Sequence, residues 1–210
     1  MESLGLFIAL LIGAYLLASI PFGLVISQRV AKIDITKAGS GNIGAANVSR
    51  EVGLKWGILT LLADALKGFI PVALSLYLLG SSKEMQEAMG GSVGLAALLG
   101  NQFPIYNRFR GGKGVATSLG IFLAISPISC LFSGIAFLTL VSVFRYISLG
   151  SIVGALTMPI WLYSMGHSSL LIIVSAIISL FILVKHIGNI QRLIKGNERR
   201  WQIKKSQKSL

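Results

Sequence analysis

The stretch "GSGNIG" at residues 39–44 fits the G-x-G-x-x-G dinucleotide fingerprint, and Asp64, twenty residues beyond Gly44, supplies the acidic residue that pattern asks for. The fingerprint has meaning only where the glycines follow a strand and open a helix inside a βαβ unit, since that geometry aims helix amides at a pyrophosphate. Working outward from these six residues, the neighbouring sequence does not offer a strand. Residues 4–28 and 56–80, on either side, are long and almost uncharged. The glycines therefore lie in a loop between two membrane helices, Asp64 falls inside the second helix, and the dinucleotide reading is rejected.

Composition agrees. The chain of 210 residues is 54% apolar, with 12% charged residues and a mean hydropathy of +0.78. A soluble domain carries about 25% charged residues. Lys and Arg number 19 against seven acids, a net charge of +12. Such a balance suits nucleic acid or an anionic membrane face, and the placement of the charges decides between them. Apolar stretches cover 4–28, 56–80, 91–103, 115–143, 147–165 and 168–184, and the bases gather between and after them. An integral membrane protein is expected, without a nucleic-acid partner. The first stretch reads as a span rather than a signal peptide, because "MESLG" has no base and no A-x-A site follows. The single Cys130 reads as a packed thiol.

The loop after the first span holds Arg29, Lys32, Lys37, Arg50 and Lys55, whereas Ser81 to Gly90 has one base against two acids. The positive-inside rule then puts the first loop in the cytoplasm and the N-terminus outside. Residues 115–143 contain "SPIS" around Pro127 and can be one span or two. Eight of the 19 bases follow Val184, and two spans hinged near Pro127 bring them inside. The expected architecture is all-α, with about seven short transmembrane helices, N-terminus outside and C-terminus cytoplasmic. It forms a single domain over 1–198 and a basic tail over 199–210. Five spans with re-entrant segments would preserve the same sidedness.

Three polar stretches then share one side. In "AGSGNIGAANVSR" (38–50), Gly39, Gly41 and Gly44 let backbone amides turn to a ligand, Ser40, Asn42 and Asn47 can donate hydrogen bonds, and Arg50 can grip a phosphate with two. In "FRGGKGVATS" (109–118), Gly111, Gly112 and Gly114 flank Lys113, and a helix carrying Thr117 and Ser118 follows with its first amides facing the same point. A nucleotide P-loop would need Gly at 107 and Ser or Thr at 114, where Asn and Gly stand, so a simpler phosphate is the expected guest. In "KHIGNIQRLIKGNE" (185–198), helical spacing places Lys185, Asn189 and Arg192 on one face with His186 adjacent. The plainer reading of all three is tight loops and lipid anchoring, but His186 and Asn189 add no anchoring charge. Asp64 and Lys67, three apart at membrane depth, can face each other as a structural pair or line a polar cavity. His167 reads as a loop residue.

These stretches, with "DALKG" at 64–68, resemble in order and spacing the bacterial acyl-phosphate:glycerol-3-phosphate acyltransferase family, over nearly the whole chain. The resemblance implies a multi-pass enzyme of the bacterial cytoplasmic membrane that moves a fatty acyl group from acyl phosphate to the 1-hydroxyl of glycerol 3-phosphate, giving lysophosphatidic acid at the start of phospholipid synthesis. It implies a cytoplasmic active site containing Ser40, Asn42, Arg50, Lys113 with its glycines, His186, Asn189 and Glu198, the second motif holding the glycerol 3-phosphate phosphate. Two positions depart from the family pattern. Ala46 stands where Thr is usual, and Asn101 where the segment G-H-x-F-P has His.

An acyl phosphate already carries a good leaving group, so positioning and charge stabilisation suffice without a covalent acyl-enzyme. The H-x-x-x-x-D signature of thioester-using acyltransferases is absent, since Gln191 and Ile172 stand five residues after His186 and His167. The hydroxyl proton can pass to His186 or to a substrate phosphate oxygen; the former is read here as a positioning and hydrogen-bonding residue. No metal and no cofactor is expected. The expected partners are the two substrates and membrane lipid, with the chain a monomer. A transporter for a phosphorylated solute is the alternative class, but it would need polar residues along a path through the bilayer, and here they crowd at one side.

Overall fold

The computed structural model describes residues 2–201, with side chains from Leu4 onward, so most of the expected tail, 202–210, lies outside the described residues. Among the described residues ten α-helices run in the order α1 (Glu2–Ala18), α2 (Phe22–Ala31), α3 (Ala45–Glu51), α4 (Leu54–Leu78), α5 (Lys83–Gln102), α6 (Val115–Ile125), α7 (Pro127–Phe144), α8 (Ile147–Ser164), α9 (Ser169–Lys185) and α10 (Ile187–Ile194), with 3-10 turns at Ile35–Lys37 and Ile105–Asn107. No strand occurs among the described residues, which removes the last support for a dinucleotide fold.

The distribution of residues is that of a protein dissolved in lipid. Leu62 and Leu66 on α4 and Leu131 and Leu138 on α7 point outward, half exposed or more, whereas Ser27, Thr60, Ser75 and Ser175 are fully buried. Three buried hydroxyls spend their protons on carbonyls: Ser27 on Gly23 (2.7 Å), Thr60 on Trp56 (2.8 Å), and Ser179 of α9 on Ala155 of α8 (2.6 Å). Small residues let helix backbones touch, which dispersion rewards where no hydrophobic effect operates between helices. A Cβ on Gly120 of α6 would lie 1.8 Å from the Ala65 carbonyl of α4, and one on Gly68 would lie 2.2 Å from the Thr117 carbonyl. These glycines lock α4 against α6 and thereby hold the start of α6 in place.

By length and apolarity, Leu4–Ala31, Leu54–Leu78, Pro127–Phe144 and Ile147–Ser164 can each cross a membrane, and α9 with α10 qualifies as a fifth, bent by 60°. α6 is apolar but only 11 residues long. Proline explains two interruptions. Pro21 separates α1 from α2, and Pro127 opens α7 directly after Ser126 ends α6, so the expected hinge in 115–143 is present.

Two expectations need correction. Residues 81–90, read as a loop, are mostly helix, because Ser82 caps α5 by accepting the Met85 amide at 3.3 Å and Glu84 sits in its first turn. Lys185, Asn189 and Arg192 do not share a helix face: the chain bends at His186, leaving the lysine on α9 and the other two on α10.

Candidate active site

The first polar stretch is a loop built around Asn47. Its buried side chain donates to the carbonyls of Ile35 (3.4 Å), Ala38 (3.0 Å) and Asn42 (2.9 Å), and its Oδ1 accepts the Ser40 amide at 2.9 Å. Asn42 Oδ1 accepts the Gly44 amide at 2.8 Å. Gly39 and Gly41 take left-handed φ values of +58° and +71°, and a Cβ on Gly39 would strike Asn47. Both glycines shape the loop from behind, while Ser40, Asn42 and Gly44 line a cavity in front of it. Asn47 and Arg50, on α3, also border that cavity. The Arg50 Nε is buried with no hydrogen-bond partner among the described residues. Burial, and then nearby Arg199, pull the Arg50 pKa down from its ordinary value.

The second stretch is held by the end of α5. The Asn101 carbonyl accepts the Gly112 amide at 3.1 Å and lies 2.1 Å from where a Cβ on Gly111 would stand. Gly114, at φ +83°, turns the chain into α6. Lys113 then reaches across to donate to Asn189 Oδ1. Burial pushes its pKa down to about 8, Glu198 resisting and Arg192 and Arg50 adding to the depression. Thr117 lines the cavity with a buried, unpartnered hydroxyl. Ser118 instead turns back to the Val115 carbonyl at 2.9 Å.

In the third stretch, the bend at His186 aims α10 across the cavity. Glu198 Oε1 accepts from Asn189 Nδ2 (2.6 Å) and Ser148 Oγ (2.7 Å), and its Oε2 accepts from Arg192 Nε at 2.7 Å. Burial works to raise the Glu198 pKa, but the bonds from Asn189, Ser148 and Arg192 outweigh it and hold the carboxyl below its usual range. This ionised carboxylate fixes Asn189, which in turn orients Lys113. His186, in the break beyond the apolar helix, is almost fully buried, and its Nδ1 lies 2.8 Å from the Ile182 carbonyl. Burial first, then the Lys113 charge, push its pKa down to about 4. The imidazole is therefore neutral at pH 7, Nδ1 donating and Nε2 left as an acceptor. Lys185 is turned away, donating to the Gln102 carbonyl at 3.1 Å with its ammonium 4.2 Å over the Phe103 ring.

Asp64 and Lys67 form the pair their spacing predicts, Nζ to Oδ1 2.8 Å. Asp64 borders the cavity, whereas Lys67 packs 5.0 Å over the Phe22 ring. Among the described residues no cluster of three His, Cys, Asp or Glu is placed to hold a metal. Ala46 and Asn101, the two departures, both border the cavity. So do Arg199 and Trp201, which the sequence assigned to a tail; the Trp201 amide donates to the Arg145 carbonyl at 2.7 Å. Ser148 was missed altogether, since a serine at the start of an apolar helix gives no signal in sequence.

The cavity encloses about 400 Å³. One side carries Arg50, Lys113 and Arg192; the other is hydrocarbon, Leu54, Ile58 and Leu61 from α4 and Phe137, Leu138 and Val141 from α7. A helical membrane protein whose cavity joins a cationic cradle to a greasy wall is built for amphiphiles with an anionic head, which places it among the integral membrane enzymes of lipid metabolism. The family model for glycerol-3-phosphate acyltransferase matches residues 8–196. Curated glycerol-3-phosphate acyltransferases of Syntrophotalea carbinolica and Trichlorobacter lovleyi are 44% and 48% identical, over 93% and 90% of this chain and 98% and 95% of theirs. The crystal structure of PlsY (YgiH), an integral membrane glycerol 3-phosphate acyltransferase, in its glycerol 3-phosphate form, superposes with a TM-score of 0.88 at 38% identity, covering 93% of this chain and 96% of that one. Its lysophosphatidic acid form gives a TM-score of 0.85, over 94% and 96%. The chain belongs to the glycerol-3-phosphate acyltransferase family.

Proposed function

We propose that the acyl donor is acyl phosphate, and that the enzyme transfers its acyl group to the 1-hydroxyl of glycerol 3-phosphate. The observation that carries this reading is the cavity itself, where the buried, unpartnered Arg50 Nε and the Lys113 ammonium stand at the head of an apolar trough. Two phosphates need two cationic holds, and a long acyl chain needs the trough. The absence of H-x-x-x-x-D after either histidine also disfavours a thioester donor.

In this scheme the donor lies with its chain along α4 and α7 and its carbonyl at the cradle. Lys113 and the amides at the start of α6 hold one phosphate, and Arg50 with the 39–44 loop holds the other. Serine 40 and Asn189 orient the acceptor. The 1-hydroxyl oxygen attacks the carbonyl, the bond from that carbon to the phosphate oxygen breaks, and lysophosphatidic acid and inorganic phosphate leave. A histidine with a pKa near 4 is a weak base, whereas a phosphate ester has a second pKa near 6. The proton therefore passes to a phosphate oxygen, and His186 Nε2 accepts from the other hydroxyl of glycerol 3-phosphate, which orients the acceptor without holding the proton that moves.

The same proposal sets the protein in the bacterial cytoplasmic membrane as a monomer, with seven short membrane segments, N-terminus outside and the cavity facing the cytoplasm, where glycerol 3-phosphate is found. Arg29, Lys32 and Lys37 at the cavity end, against a lone Lys83 outnumbered by Glu84 and Glu87 at the other, support that sidedness. The test is phosphate release by the purified protein in lipid, with palmitoyl phosphate plus or minus glycerol 3-phosphate and palmitoyl-CoA in parallel. Release that requires glycerol 3-phosphate and yields lysophosphatidic acid, with the thioester untouched, is the expected result. Turnover of palmitoyl-CoA alone would overturn the donor.

A further inference from the structure

Lys113 stands in a loop, and nothing in residues 108–114 is helical enough to fix its height above the cavity floor. Beside the Asn101 carbonyl, which holds the Gly112 amide, the residue that grips Lys113 itself is Gln102, the last residue of α5. This side chain is fully buried, and its Nε2 donates to the Lys113 carbonyl at 2.9 Å. It also fills the space beside Gly114, where a Cβ would come within 3.0 Å of Nε2. The Gln102 carbonyl in turn accepts from Lys185, and the next carbonyl, of Phe103, accepts from the Tyr15 hydroxyl at 2.8 Å. One joint at the end of α5 thus ties the Lys113 loop to α9 and to α1.

A glutamine serving only as filler would be costly here. Its Oε1 is buried with no partner among the described residues, and methionine would occupy the same space without an orphaned acceptor. The donor side of the amide is what the position uses.

We propose that Gln102 is a positioning residue for the acyl acceptor: by holding the Lys113 backbone, with Lys185 bracing it from α9, it sets where the Lys113 ammonium meets phosphate. This rests on the assignment of Lys113 to a substrate phosphate. Its signature is a change in KM for glycerol 3-phosphate with little change in kcat, because the reacting carbonyl is not touched.

The experiment measures kcat, KM for glycerol 3-phosphate and Tm for the full-length protein in lipid, as wild type, Gln102→Met and Lys185→Met. Gln102→Met is expected to raise KM about five- to tenfold, the effect of one buried hydrogen bond, with kcat within about twofold and Tm nearly unchanged. Lys185→Met is expected to raise KM about twofold or more while Gln102 stays in place, and it serves as the deciding variant should Gln102→Met fail to accumulate. Unchanged KM in both, or a fall in Tm and kcat at constant KM, would overturn the positioning role and leave a packing residue. Failure of the functional reading looks different: wild type itself would show no phosphate release dependent on glycerol 3-phosphate, and binding of glycerol 3-phosphate by wild type and Gln102→Met, followed by calorimetry without donor, would then decide the Gln102 link alone.

Discussion

The two ends of the helix bundle are both polar, and they treat their charges in opposite ways. α5 runs from one to the other, so Glu87 and Gln102 stand about 22 Å apart along it. At the Glu87 end the carboxylate and the imidazole are both spoken for. Glu87 Oε1 lies 2.8 Å from His167 Nδ1, its Oε2 accepts the Ser168 amide at 2.7 Å, and His167 Nε2 lies 2.9 Å from Ser126 Oγ. The knot ties α5, the α6–α7 break and the start of α9, and its neighbouring space of about 450 Å³ has Leu170 as its one large apolar lining residue. At the Gln102 end a single carboxylate, Glu198, serves three donors, while Arg50 Nε and the Thr117 hydroxyl remain buried and unpartnered. Satisfied polar groups fasten helices together; polar groups left wanting await a ligand.

That contrast can be broken by substitution. Lys113→Met removes the cation from the wanting end, and kcat/KM is expected to fall by about a thousandfold in the phosphate-release assay, with the fold intact by circular dichroism. Activity within tenfold of wild type would mean that the cradle does not hold a substrate phosphate. The pH profile sharpens the same point. Lys113 has a pKa lowered to about 8, so its charge is present below that pH and lost as pH rises through it. Accordingly kcat/KM should fall about tenfold per unit above pH 8, with kcat less affected because bound phosphate restores the proton affinity. His186→Gln retains a hydrogen-bonding side chain but no basic nitrogen, and turnover is expected to stay within about tenfold of wild type. Near-complete loss would make the imidazole the base. Smallest on activity is His167→Ala, which undoes the satisfied end. It should lower Tm by a few degrees through loss of buried hydrogen bonds while KM for glycerol 3-phosphate stays constant. A change in KM there would show that the two ends are coupled.

What sequence revealed follows the range of the interactions involved. The glycine loops, the Asp64–Lys67 pair and the break at Pro127 are local, set by residues at most a few positions apart, and each stands where its pattern puts it. The start of α5 was hidden because Lys83, Glu84 and Glu87 look like a solvated loop until His167, 80 residues away, is seen to pair with Glu87. Ser148 was hidden for the same reason, its partner Glu198 lying 50 residues on. The bend that sends Lys185 away from Asn189 has no proline to announce it, only Gly188 two residues past the corner. Gln102 was passed over because its work is done through a backbone carbonyl rather than by its own charge.

The brevity of α6 has a further consequence. Eleven residues make a helix of about 16 Å, roughly half the thickness of a hydrocarbon layer of about 30 Å. A helix of that length cannot hold both its ends at the headgroups, and a Lys113 loop set below them would draw a dimple of water down toward the acyl chains. The meeting of a salt-like molecule and a fat is arranged by lowering the shoreline, so that neither has to leave its own phase.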